Sequence, residues 1–86
     1  MNQLVVFDSV HQAIRAEQKL KQQGLGVEMV PTPREISASC GQSLVVPEEE
    51  LSVAREVLLK EKVPFRGIYS ADVRRGIYEL MIQGGS

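Results

Sequence analysis

The stretch that decides the fold is "QLVVFDSVHQAIRAEQKLKQQG", Gln3 to Gly24. Its first five residues, Gln3–Phe7, are apolar and β-branched, the composition of a buried strand. Ser9 and Gln12 then stand at the spacing of a capping box, in which each side chain satisfies an orphan amide at a helix start. Val10, Ala13, Ile14 and Leu20 recur at helical spacing with charged residues mostly elsewhere, and Gly24 is a natural stop. A strand followed at once by an amphipathic helix over Val10–Gln23 is half of a β-α-β unit.

The rest of the chain completes the pattern. "LGVEMV" (Leu25–Val30) reads as a second strand ended by Pro31, and "QSLVV" (Gln42–Val46) as a third. Pro47 opens a second helix whose first turn, Glu48-Glu49-Glu50, suits the positive end of the helix dipole. Leu51, Ala54, Val57 and Leu58 form its apolar stripe, Lys60 and Lys62 sit at its C-terminal end, and Pro64 breaks it. "FRGIYS" (Phe65–Ser70) reads as the fourth strand. The order β-α-β-β-α-β predicts an α/β (α+β) ferredoxin-like sandwich, a four-stranded antiparallel sheet with two helices on one face. That domain is expected over residues 1–70. Residues 71–86 are a C-terminal extension in which "GIYELMI" reads as an extra strand, a short helix or an arm for a partner subunit, so a homodimer is among the expectations.

Composition narrows the function. At 86 residues the chain is expected to be one domain with a modest core. Net charge is −1 from 10 basic and 11 acidic residues, without the basic face that nucleic-acid binding requires. The nearest approach to one, Arg66, Arg74 and Arg75 with Tyr69 and Tyr78, reads as solvated surface. No apolar run approaches the ~20 residues of a membrane span, and "MNQLVVFDSV" lacks the basic start and cleavage site of a signal peptide. A cytoplasmic location is therefore expected, with neither nucleic acid nor membrane as a partner. The single cysteine makes no internal disulfide and no multi-cysteine zinc site.

That cysteine lies in the least generic part of the chain, "PTPREISASCGQSL", Pro31–Leu44. In the expected topology strands 1 and 2 are parallel with strand 3 between them, so Cys40 falls beside the N-terminus of the first helix, around Ser9–Gln12. Unpaired amides there favour anions, and a thiolate is stabilised. Thr32-Pro33-Arg34-Glu35 is a second capping-box pattern, which predicts a helical turn from Pro33 to about Ser39. Arg34 either pairs with Glu35 or turns its positive charge to the thiol. Ser37 and Ser39 can donate hydrogen bonds to sulfur, and Gly41 permits unusual dihedrals and leaves the sulfur accessible. Against this stands the plainer reading of Cys40 as a small buried hydrophobe, with Arg34 a surface residue, Ser9 a cap and His11 a solvated side chain.

Several sulfur chemistries are excluded by what is missing. Cys40-Gly41-Gln42-Ser43 has no resolving cysteine for a redox dithiol, and the position six after Cys40 is Val46 rather than a phosphate-binding arginine. A cysteine hydrolase needs a histidine base with an orienting partner, and His11 is the chain's one histidine. No glycine-rich phosphate loop or metal-ligand cluster occurs, so neither cofactor nor metal is expected. What remains is a thiolate loaded and unloaded by other proteins, for which a persulfide or selenopersulfide is a natural form.

From Leu4 to about Ile68 the sequence resembles the small bacterial family described as Se/S carrier protein-like. The resemblance rests on "VFDSVHQAIRAEQKLKQQGLGVEMVPTPREISASCGQSL", above all on P-T-P-R-E-I-S-x-S-C-G, Pro31–Gly41. It implies a carrier holding sulfur or selenium on Cys40, with Pro33, Arg34, Ser37, Ser39 and Gly41 as the remaining motif residues. The partners so implied are a donor of the cysteine desulfurase or selenocysteine lyase type and an acceptor such as a selenophosphate-forming enzyme. The rival reading is a non-catalytic small-ligand-binding or regulatory module, dimeric in the manner of many ferredoxin-like domains; a thiol-dependent enzyme that turns over without partners is a third.

Overall fold

A computed structural model of the chain describes residues 2–36, 41–72 and 74–83. The predicted helix is present as α1, Val10–Gln22. Ser9, in extended backbone, accepts a hydrogen bond from the Gln12 amide at 3.2 Å. The reciprocal half of the box is not made: Gln12 Oε1 is buried with no hydrogen-bond partner among the described residues. Gly24, at φ 79°, adopts the left-handed conformation that ends the helix.

The strands are β1 (Gln3–Val6), β2 (Glu28–Pro31), β3 (Gln42–Val46), β4 (Gly67–Asp72) and β5 (Ile77–Gln83). They form one antiparallel sheet in the order β2-β3-β1-β4-β5. The sheet thus has five strands where the sequence pattern predicts four. The fifth comes from the tail, which turns through Arg74–Gly76, with Gly76 at φ 65°, and pairs back along β4. Tail residues such as Ile77, Leu80 and Met81 are half exposed, so β5 carries little of the burial signal that marks β1 or β3.

Other boundaries moved for identifiable reasons. β2 begins three residues later than its apolar run because Leu25 closes α1 through its amide to the Leu20 carbonyl and Gly26 donates to Glu50 Oε1. It includes Pro31, which an edge strand tolerates because no ladder amide is needed on the outer side. The second helix begins as a 3-10 turn, Glu48–Glu50, before α2 proper, Leu51–Lys60. β4 starts at Gly67 and extends to Asp72.

One cross-strand row, Met29–Leu44–Val5–Ile68–Ile82, runs across all five strands. It packs with Phe7, Val46, Ala13, Ala16, Leu20, Ala54 and Leu58, so the helices cover this face. Phe7, Leu20, Leu44, Leu58 and Ile68 are fully buried, each contributing about 1.5–3 kcal/mol of transfer free energy. The helices are also tied at the C-terminal end of α2, where Arg15 donates to the Glu61 carbonyl at 3.0 Å and Lys19 pairs with Glu61 at 3.5 Å.

The opposite face is also covered around β1. Leu4 and Val6 point there by alternation, yet both are buried. Pro33 and Tyr78 border one cavity together with Leu4 and Val45, so the segment after β2 and the β4–β5 hairpin meet over this face. At their meeting point Glu35 Oε2 lies 3.5 Å from where a Cβ on Gly76 would be. A register shift between Ile68 and Tyr69 bends the hairpin.

Candidate functional site

The site is built at the end of the sheet where β1 leads into α1. β3 is antiparallel to both β1 and β2, so β1 and β2 run the same way and their ends meet the start of β3. Ser43 lies opposite Val6, and Gln42 opposite Pro31. Just beyond, the Thr32 amide donates to the Gly41 carbonyl at 3.3 Å, and the Thr32 and Ser43 hydroxyls share a buried 2.6 Å hydrogen bond. These contacts fasten both ends of the Pro33–Cys40 segment to the sheet.

Gly41 is the residue that locates the site. A Cβ built on it would lie 3.0 Å from Val10 Cγ2, the side chain that opens α1. Its value is this close approach rather than a positive φ, which among the described glycines belongs to Gly24 and Gly76. The backbone one residue past Cys40 is thereby held against the N-terminal turn of α1. Ser9 occupies the Gln12 amide, and the Ala13 amide donates to the Ser9 carbonyl at 3.2 Å. The amides of Val10 and His11 are those left without an intrahelical acceptor.

Cys40, Ser37 and Ser39 lie outside the described residues. Pro33 is half-buried and begins a turn closed by the Ile36 amide on the Pro33 carbonyl at 3.0 Å. Arg34 and Glu35 are exposed within it. The predicted helical turn is described as far as Ile36.

Arg66, exposed as expected, is not among the site residues that the sequence singles out. Its amide donates to the Val6 carbonyl at 2.7 Å, which fixes its backbone at the same sheet end as Phe7, Ser9 and Gly41. Arg74 and Arg75, its neighbours in the sequence pattern, belong instead to the β4–β5 turn. The pattern that could have revealed it is its place immediately before β4, since in this topology β4 starts where β1 ends.

Among the described residues, no helix is long and apolar enough to cross a membrane. The described residues thus form an antiparallel sheet backed by two helices, with the start of α1 beside Gly41. The chain belongs to the family described as "Putative Se/S carrier protein-like", whose model matches residues 2–70. The match takes in β1, α1, the whole motif segment and α2, and ends within β4, leaving β5 beyond it. No curated protein and no solved structure matches the chain.

Proposed function

We propose that this protein carries sulfane sulfur or selenium on Cys40 between partner enzymes. Membership of a carrier family supports the general role. The observation that supports Cys40 as the loaded residue is the close approach of its neighbour Gly41 to the side chain of Val10, the first residue of α1.

In loading, the Cys40 thiolate attacks the terminal sulfur of a donor persulfide. The new bond is Cys40 Sγ–S, the donor S–S bond breaks, and the donor cysteine leaves as a thiolate. The terminal proton stays on the transferred sulfur or dissociates from it, and no external oxidant or reductant is consumed. Selenium follows the same exchange. Delivery repeats it, with the acceptor's thiolate attacking and Cys40 leaving.

The helix start favours both anions in this cycle, the thiolate and the persulfide, through the Val10 and His11 amides and the positive end of the α1 dipole. Ser9 serves this arrangement as a cap, holding the first turn in register. Arg34 and Arg66 are the cations assigned to the charge, Arg34 from the motif and Arg66 from the start of β4. Ser37 and Ser39 are assigned as hydroxyl donors to sulfur. Pro33 stiffens the segment, and Gly41 leaves room beside the thiol. The expected donor is of the cysteine desulfurase or selenocysteine lyase type, and the acceptor an enzyme that uses the activated atom. We read β1–β4 with the two helices as a ferredoxin-like unit, to which β5 is an addition.

The test is loading. Incubating the purified chain with a cysteine desulfurase and cysteine adds the mass of one sulfur, removable by dithiothreitol, and the Cys40→Ser variant acquires none. Absence of an adduct with sulfur and selenium donors alike overturns the assignment.

A further inference from the structure

The cavity on the helix-free face is not used by any step above. Its floor is Leu4 and Val45, one wall is Pro31 and Pro33, and the other is Ala71 and Tyr78 from the β4–β5 hairpin. We infer that this cavity is a binding site for a small planar aromatic molecule carrying one hydrogen-bonding group.

Volume sets the size of the occupant. The space is about 290 Å³. An apolar cavity of ~150 Å³ stays dry and takes up benzene, so twice that volume suits a fused two-ring compound. It is too small for a helix or strand of a partner protein, and at the lower edge of the ~300–1,000 Å³ typical of ligand sites.

The walls set the chemistry. The lining is mostly apolar, so a charged occupant would be desolvated without compensation. Two proline rings and the Tyr78 ring are in the lining, and an aromatic ring packs well against such compact rigid side chains. Asn2, Gln3 and Tyr78 are the lining residues that carry hydrogen-bonding side chains, the reason for one polar group on the ligand. The walls are pre-formed. Pro31 and Pro33 fix their own φ, the Thr32–Ser43 hydrogen bond fastens the segment between them, and Glu35 approaches Gly76 where the walls meet. Little ordering entropy is then left for the ligand to offset.

This inference does not rest on the carrier reading: of the six floor and wall residues only Pro33 belongs to the Pro33–Cys40 segment, and its part there is to stiffen the backbone rather than to touch sulfur. The experiment uses the full chain labelled at its methyl groups and titrated with indole, followed by heteronuclear NMR. Saturable shifts are expected at the methyls of Leu4, Val45 and Ala71, with a dissociation constant of about a millimolar or tighter. They persist unchanged in the Cys40→Ser variant. Ala71→Leu, which fills the cavity, weakens binding at least about tenfold; should it not fold, Tyr78→Leu, which removes the ring and hydroxyl, is expected to weaken it about threefold or more. Shifts that rise linearly without saturating, that map to other methyls, or that survive the folded variants would overturn the site.

Discussion

Cutting the hydroxyl pair that fastens the motif segment to the sheet is the sharpest test of how that segment is held. Thr32 Oγ1 and Ser43 Oγ are 2.6 Å apart, Ser43 is fully buried and Thr32 is 9 % exposed. A net hydrogen bond contributes about 0.5–1.5 kcal/mol, and a buried hydroxyl left short of a partner costs about 1–3 kcal/mol. Ser43→Ala and Thr32→Val are each expected to destabilise by about 1–2 kcal/mol, because each removes the same buried hydrogen bond. The double variant removes both hydroxyls and is expected to lose about 1 kcal/mol less than the sum. For a domain of this size each kcal/mol lowers Tm by about 4–8 °C, well within the precision of thermal or urea melts. A double-mutant cycle by urea denaturation reads the coupling directly. Additivity within about 0.3–0.5 kcal/mol would refute the argument, since that is how independent sites behave.

The remaining predictions concern packing and the turns. Gly41→Ala places a methyl 3.0 Å from Val10 Cγ2 and is expected to destabilise by about 1 kcal/mol; in a Val10→Ala background the loss should vanish, and its persistence in melts would remove the close-approach explanation. Gly76→Ala forces an alanine to φ near 65° in the β4–β5 turn and should lose about 1–2 kcal/mol, while a Gly76→Asn chain should melt closer to wild type. Leu44→Ala, at the centre of the helix-facing row, is expected to cost about 2–5 kcal/mol by urea denaturation, and a loss below 1 kcal/mol would contradict the packing described. Gln3→Met removes a buried amide oxygen with no partner among the described residues, so the melt should be unchanged or raised by a few degrees rather than lowered.

What could be read in advance follows the range of the interactions concerned. β3 was legible to the residue because "QSLVV" is an apolar run with a proline directly after it, and α1 because Ser9, the apolar spacing and Gly24 are all local signals. The existence of β5 was left open because its half-exposed residues and the irregular register beside Tyr69 blur the alternation that marks a strand. Arg66 is exposed, as the sequence pattern predicts, but its backbone bond to Val6 depends on which strand ends share an edge, a property of topology rather than of neighbours in sequence. Gly41 was picked out for dihedral freedom, whereas the described contact is with Val10, more than thirty positions away in the chain. Pro33 reads in the sequence as a helix-start signal and a motif residue; that it also lines a cavity with Tyr78 depends on a hairpin folding back over the sheet, for which a single sequence carries no local sign.

The central claim is that the α1 terminus makes the chain hospitable to a negative sulfur, and the rate of Cys40 alkylation against pH measures it most directly. With iodoacetamide, the folded protein should show a midpoint below the ~8.5 of a free cysteine, and the denatured chain should return to about that value. A folded midpoint at or above the denatured one would contradict the account.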